Sequence, residues 1–209
     1  KDATGRELTL EGDIHLQIGL TPVLALENVT FQNAPWGSRP ELARIKHFEV
    51  NVALIPLLRG TIEIKRFVLV GPDILIETDP SGRSNLTFEA IKEPSPALPK
   101  GEVPEKEVSR PTIPTIEEIQ IEKGSIEYRD GQSGKTFRVA LDRFTVEASG
   151  TDGPIQLEGK GACNGKVFTV FSTLGPPAAL SEPGKAWPVK VVVQAAGATA
   201  GVSGGIKNA

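Results

Sequence analysis

The chain has 209 residues, 39% of them hydrophobic, and 26 acidic against 23 basic side chains give a formal net charge of −3. That size suits one large or two small domains, and the apolar content suits a folded protein rather than a disordered one. With no basic block in the sequence, the charge argues against nucleic acid as a partner, because phosphate binding needs a clustered cationic face.

In chain order, apolar residues recurring at every second position predict strands near 7–10, 14–18, 24–31, 45–54, 61–70, 74–78 and 86–88. Arg39 to Ala43, with Pro40 near its start, and Ile55 to Arg59, ended by Gly60, each predict one helical turn. Val52 to Leu58 is the longest apolar run and contains Pro56, whereas spanning a bilayer takes roughly 20 apolar residues. Between 60 and 88 the alternation is clearest. Ile62 and Ile64 alternate with Glu63 and Lys65, Gly71-Pro72 breaks the run as a turn, and Ile74 and Ile76 lead to a second turn at Asp79-Pro80-Ser81-Gly82. One face of such strands is apolar and the other mostly wet.

Residues 93–114 carry six prolines and little apolar content. Proline cannot donate to a ladder, so this stretch reads as a linker or as a long surface loop inside one sheet. It divides the chain into 1–92 and 115–209. The same alternation returns in the second part, with Ile119 and Ile121, a turn at Lys123-Gly124, Ile126 and Tyr128, a turn over 130–134, then Phe137, Val139 and Leu141. Phe144 and Val146, Ile155 and Leu157, 167–171, and Val189, Val191 and Val193 follow, so hairpins are expected. IEIKRFVLVGPDILIETDPSG and IEEIQIEKGSIEYRDGQSG look alike, which hints at a repeated unit.

Alternation alone leaves a sandwich, a barrel and an open curved sheet equally available. Aromatics are 5% of the chain, which tilts the choice toward a smooth aliphatic surface. The fold expected is mainly β: an elongated, curved antiparallel sheet forming an open apolar groove, with one or two short helices.

Several motifs carry less than they suggest. Gly134-Lys135-Thr136 lacks the earlier glycine of a phosphate loop, Arg129 standing there, and Gly165-Lys166 fails likewise at Lys160. Asp79 to Arg83 begins like a calcium loop, yet Arg83 occupies a ligand position. His15 and His47 have no second ligand at metal spacing, and His15 falls on a polar face. Cys163, the single cysteine, can form no intramolecular disulfide, and a buried or half-buried small residue is expected there. No spacing singles out a carboxylate pair, so no catalytic residue, metal or cofactor is assigned. Asn28-Val29-Thr30 and Asn85-Leu86-Thr87 fit the glycosylation acceptor pattern, a frequent accident.

Between Thr4 and Phe88 the order and wording of the blocks resemble the amino-terminal region of the AsmA family. The likeness rests on Asn33-Ala34-Pro35-Trp36-Gly37-Ser38, on Pro56-Leu57-Leu58-Arg59-Gly60, and on Gly71-Pro72 followed by Asp79-Pro80-Ser81-Gly82 and Asn85. GSIEYRD, PIQLEGKGACNGKVFTVFSTLG and WPVKVVVQAAGATAGVSGGI are similar to the family's looser later pattern. Leu86 departs from it, since members often carry tryptophan after the asparagine. The resemblance implies a Gram-negative periplasmic protein held in the inner membrane by one amino-terminal helix, outside a chain that opens at Lys1 and contains no methionine. It also implies kinship with bridge-like lipid transfer proteins, whose sheets form a groove with an apolar floor.

On that reading the groove is lined by Leu16, Ile18, Leu24, Leu26, Val50, Val52, Ile62, Ile64, Ile74, Ile76, Ile119, Ile121, Ile126, Val139, Leu141, Val146, Ile155 and Leu157. Each would serve equally as ordinary core. The function expected is carriage of phospholipid or another acyl lipid between inner and outer membranes without chemistry. The alternative is a scaffold or assembly factor for outer-membrane proteins acting by strand addition. A hydrolase comes third.

Overall fold

The computed structural model of the chain describes residues 5–88, 115–181 and 186–207; the proline-rich stretch 93–114 lies outside them. Among the described residues the alternating segments join into one mixed sheet of 13 strands. They are β1 (Leu8–Leu10), β2 (Ile14–Gln17), β3 (Val23–Gln32), β4 (Glu41–Val52), β5 (Glu63–Val70), β6 (Asp73–Glu77), β7 (Thr115–Ile116), β8 (Glu118–Arg129), β9 (Thr136–Ala148), β10 (Ile155–Cys163), β11 (Lys166–Leu174), β12 (Ala186–Ala195) and β13 (Ala198–Lys207). Across the sheet the order is β1, β3, β4, β5, then β8 to β13 in sequence, with β2 beside β3 and β6 between β4 and β8. From β8 onward the chain is a plain antiparallel meander.

The expected antiparallel sheet is corrected at one place. β8 runs parallel to both β5 and β6, and β7 runs parallel to β5. The cause lies at Gly71-Pro72, which is a kink and not a reversal. The Gly71 N–H donates to Glu122 O at 2.8 Å and Pro72 O accepts from the Ser125 N–H at 2.7 Å, so the backbone stays in the ladder and β5 and β6 follow one line. The same correction applies at Lys123-Gly124, inside the unbroken β8, and at Leu141 to Phe144, inside the unbroken β9. The two similar segments lie side by side in one register, Phe67 beside Ile119 and Ile76 beside Tyr128.

These irregular positions line up across the sheet as a crease. Asn28 in β3 and Lys123 in β8 take positive φ, 51° and 52°, Gly71 takes 60°, and β9 shifts register against β10 between Lys160 and Gly161, opposite Asp142. Apolar positions that step by two elsewhere step by three here: Leu26 to Val29, Phe48 to Ile45, Ile121 to Gly124, Phe144 to Leu141. A bulge in one strand alone would turn its later side chains to the wrong face. Because neighbouring strands share the extra step, Val29 still pairs with Ile45 and Ile126 with Val139.

α1 (Leu54–Leu58) stands where a helical turn is expected. Arg39 to Ala43 forms no helix: β4 begins at Glu41, and the Arg39 guanidinium bonds Glu41 O at 2.7 Å and the Asp73 carboxylate at 2.9 Å, which holds the segment extended against β6. Leu86 to Phe88 is not a strand; a lone bridge, Thr78 to Ser84, is the pairing there. The turn at 130–134 joins β8 to β9, with the Gly134 N–H on Asp130 O. Cys163, expected buried or half-buried, is exposed because it ends β10 at the Asn164-Gly165 hairpin. Among the described residues no helix is long and apolar enough to cross a membrane.

Candidate lipid-binding face

Directly paired residues on neighbouring strands point to the same side of a sheet. One row of direct partners runs Leu16, Leu24, Val50, Phe67, Ile119, Val146, Leu157, Ser172, Val191, Val202, crossing ten strands with one polar member. The next row runs Ile14, Leu26, Phe48, Leu69, Ile121, Phe144, Gly159, Val170, Val193, Ala200. Beyond the crease a third runs Leu8, Phe31, Ala43, Ile74, Ile126, Val139, Cys163. Regular alternation along β10, from Leu157 through Gly159 and Gly161 to Cys163, puts all three rows on one side.

Sixteen of the candidate lining residues fall on this side, including Val52 beside Ile64, Ile76 beside Tyr128, Leu141 beside Gly161, and Ile155 beside Ala148. Ile18 and Ile62 stand just outside β2 and β5, both exposed. Sequence reasoning missed the rings. Phe31, Phe48, Phe67, Phe137, Phe144 and Phe168 share the apolar side, and Phe48 meets Phe67 edge-on with centroids 5.1 Å apart. The surface is therefore aromatic-studded rather than smoothly aliphatic. The missed signal was the three-residue step, which restores Phe48 and Phe144 to the apolar register.

Very little covers this side. Among the described residues close contacts between elements run between sheet neighbours, and no second sheet is present. Ile14 is 60% exposed, Leu16 64% and Val202 71%, while Val29 is one of the few apolar-side residues that are buried.

The opposite side holds charge, often as direct cross-strand pairs. Glu122 faces Arg143, with Nη2 to Oε1 at 3.2 Å, and Glu127 faces Arg138, which bonds it along with Arg129. Arg138 first and Arg129 second hold the Glu127 carboxyl below its ordinary range. Lys65 reaches Glu117 at 2.6 Å and Glu63 at 2.8 Å, and these bonds raise its pKa. His15 is exposed on this side, and His47 Nδ1 sits 2.6 Å from Glu27 Oε1.

Where β6 ends, the loop after β3 folds onto the charged side and buries a polar cluster. Asn85, with no exposed surface, donates from Nδ2 to Asn33 Oδ1 and to Leu75 O, both at 2.9 Å, and accepts the Glu77 N–H at 3.0 Å. Glu77 Oε1 accepts from Asn33 Nδ2 at 2.8 Å and from the Ser38 N–H at 2.9 Å. Burial alone would raise the Glu77 carboxyl, but the Ser38 and Asn33 bonds and the Arg129 charge outweigh it and leave the pKa lowered. A Cβ on Gly37 would stand 2.3 Å from Asn33 Nδ2, so glycine is needed there. Asn33, Gly37, Ser38 and Asn85 are thus a structural clasp, and a side chain as enclosed as Asn85 offers no place for a glycan. Asp79 to Arg83 is a turn in which Asp79 Oδ1 accepts the N–H groups of Ser81 and Arg83.

The AsmA family model matches residues 1–171, from the start of the chain into β11. A search of the curated proteins finds no match.

Proposed function

The chain belongs to the AsmA family, and from that premise we propose that its apolar side is the floor of a groove that carries acyl lipid across the periplasm. Membership is consistent with a lipid-transfer or envelope-biogenesis role. The observation behind the finer reading is the row across ten strands that is apolar at every member but Ser172, with ion pairs on the reverse and little protein laid over it. Apolar surface of this extent on a folded chain marks a site of association.

The energetics suit a conduit. Burying a chain of about 16 carbons at ~0.8 kcal/mol per methylene is worth on the order of 10 kcal/mol. A bilayer offers the same chain a similar gain, so the sheet need only match the membrane for lipid to move. Contacts by Ile, Val, Leu and Phe are non-directional, and nothing holds the chain at one level. On this reading the protein performs no chemistry and works from the inner membrane, anchored by a segment before Lys1.

The test is organic extraction and mass spectrometry of the full-length protein, with a photoreactive side chain at Val50 or at Glu49 on the reverse. Co-purified acyl lipid, crosslinked at Val50 and not at Glu49, is expected. An empty extract, or equal labelling at both positions, overturns the proposal.

A second reading keeps the outer edge of β13. That ten-residue strand has no proline, carries one charge, Lys207, and among the described residues pairs with β12 alone. Such an edge accepts a further strand, so a scaffold role for outer-membrane proteins is the alternative. Capture of a defined outer-membrane client that is lost when proline replaces Val202 would favour it.

A further inference from the structure

At the β2 edge of the sheet the apolar residues continue past the strands. The turn over 18–22 joins β2 to β3, and the segment over 53–62, which holds α1, joins β4 to β5. The two are bonded to each other: the Leu54 N–H donates to Leu20 O at 3.2 Å and the Val52 N–H to Pro22 O at 3.1 Å. Together they form one corner. Its large side chains, Ile18, Leu20, Ile55, Leu57, Leu58 and Ile62, are all exposed, Ile18 by 85% and Leu20 and Leu58 by 77% each. α1 buries none of its residues, so its leucines serve no core.

Three observations bear on what covers this corner. Its backbone donors are largely used within it: the Ala53 N–H donates to Glu63 O and the Arg59 N–H to Pro56 O, both at 2.9 Å, and the Gly60 and Thr61 N–H groups donate to Leu57 O and Pro56 O at 3.0 Å. Such a loop can enter an apolar medium without stranding polar groups, and it offers little to a partner strand. Its charge is a single cation. Across 18–22 and 53–62 the one ionisable side chain is Arg59, exposed and, among the described residues, without a carboxylate partner. A bilayer asks for this combination, apolar side chains to insert and a cation at the level of the headgroups, with the arginine stem lying along the apolar surface. The corner is also continuous with the apolar side, because Ile14 and Leu16, which begin two of its rows at β2, lead directly to Ile18. Other turns are polar: Ser149, Thr151 and Asp152 stand between β9 and β10, and Asp130 and Lys135 between β8 and β9.

We propose that this corner is a membrane-docking surface. Leu20, Leu58 and their neighbours enter the interfacial layer of an anionic bilayer, Arg59 meets headgroup phosphates, and the β2 end of the apolar side is thereby opened to lipid. The inference rests on the lipid-carrying reading and names where the floor meets its source.

The experiment floats the chain with vesicles of dioleoylphosphatidylglycerol or of dioleoylphosphatidylcholine and reads the partition coefficient. Binding is expected to both, about fivefold tighter to the anionic vesicles, the worth of one cation near such a surface. Leu20→Ser and Leu58→Ser should each weaken it by about tenfold, while the urea midpoint stays where it was because both side chains already stand in water. Leu58→Trp should tighten binding, a gain that a misfolded variant would not give. Arg59→Gln should erase the anionic preference and Arg59→Lys should keep it. Val202→Ser, on the apolar side at β13 and 71% exposed, should leave the partition unchanged. No binding, or a loss at Val202 as large as at Leu20, overturns the docking corner. Dimers in sedimentation that the serine variants dissociate while flotation is unaffected assign the corner to a second copy and overturn it as well. A chain that does not float, beside a full-length protein that still yields acyl lipid, overturns the corner alone. A chain that floats as expected, beside an empty extract, supports the corner and overturns lipid carriage.

Discussion

The two sides of this sheet are held by different means. On the apolar side, rows of Leu, Ile, Val and Phe run across the strands with very little laid over them; on the charged side, cross-strand ion pairs alternate with a small buried region under the loop after β3. In a two-layer protein the tightest packing sits between apolar faces. Here Leu75 and Val68, on the reverse of the apolar rows, are 1% and 8% exposed, while Ile14 and Leu16 in those rows are mostly open. The difference teaches that the two largest fully buried side chains, Leu75 and Asn85, belong to the region of the clasp and not to the apolar rows, which leaves the apolar side available for something else.

The largest effect should come from removing the hub of the clasp. Asn85→Ala strips partners from the Glu77 N–H, Leu75 O and Asn33 Oδ1 in one step. Unsatisfied buried polar groups cost about 1–3 kcal/mol each, so a loss of about 3 kcal/mol or more is expected in urea unfolding. Ser172→Ala, which removes one bond to Lys190 O, should lose about 1 kcal/mol. Equal losses would mean that the clasp is not where stability is concentrated.

Next in size is a contrast between the sides. Leu75→Ala empties an enclosed site and should cost about 3 kcal/mol. Ile121→Ala, in the middle of the apolar side and only half-buried, should cost about 1 kcal/mol, because water already reaches the site and no closed cavity forms. An Ile121 variant as damaging as the Leu75 variant would show that protein covers the apolar side in solution.

Much of this contrast is legible in the sequence, and the rest fails for identifiable reasons. Alternation put Leu24, Val50, Ile64, Ile119 and Leu157 on one side because a strand has a strict period of two. It failed at Gly71-Pro72 and Lys123-Gly124, where local turn chemistry is used for a kink whose cost is met by hydrogen bonds between β5–β6 and β8. Turn residues report that the backbone departs from the ladder's ideal dihedrals, not that it reverses. Parallel pairing of distant segments has no local signature at all. The clasp was visible only as wording: Asn33, Gly37, Ser38 and Asn85 carry the family resemblance, and the joint burial of Asn33 and Asn85 with Glu77 depends on contacts across 44 and 52 positions. Beyond β9 the meander asks for little more than alternation and glycine turns, which explains why its wording is looser.

Acid should act mainly on the charged side. Glu77 has its pKa lowered in the folded protein, so the stability it contributes is complete above its ordinary value of 4.5 and is lost as pH falls through the lower folded value. Glu127 behaves with the same sign. The urea midpoint should therefore be flat above about pH 5 and fall below about pH 4.5, and Glu77→Gln should make that fall shallower without changing the lipid recovered. A midpoint that rises on acidification would contradict the assignment.

The smallest effect has the opposite sign and tests the crease that both sides share. Lys123 holds φ near 52°, a left-handed conformation that its Cβ makes unfavourable by about 1 kcal/mol. Glycine relieves that strain but adds freedom to the unfolded chain, a loss of about 0.5 kcal/mol, so Lys123→Gly should stabilise by a few tenths to about 0.5 kcal/mol. Thr145→Gly, at an ordinary position in β9 between Gln120 and Glu158, should instead lose about 1 kcal/mol. If both variants lose alike, Lys123 is not left-handed in solution. β8 would then alternate without a break, and Ile126 and Tyr128 would turn to the charged side. The apolar rows beyond the crease require the left-handed residue, so this modest measurement bears directly on whether the apolar side is continuous across the crease.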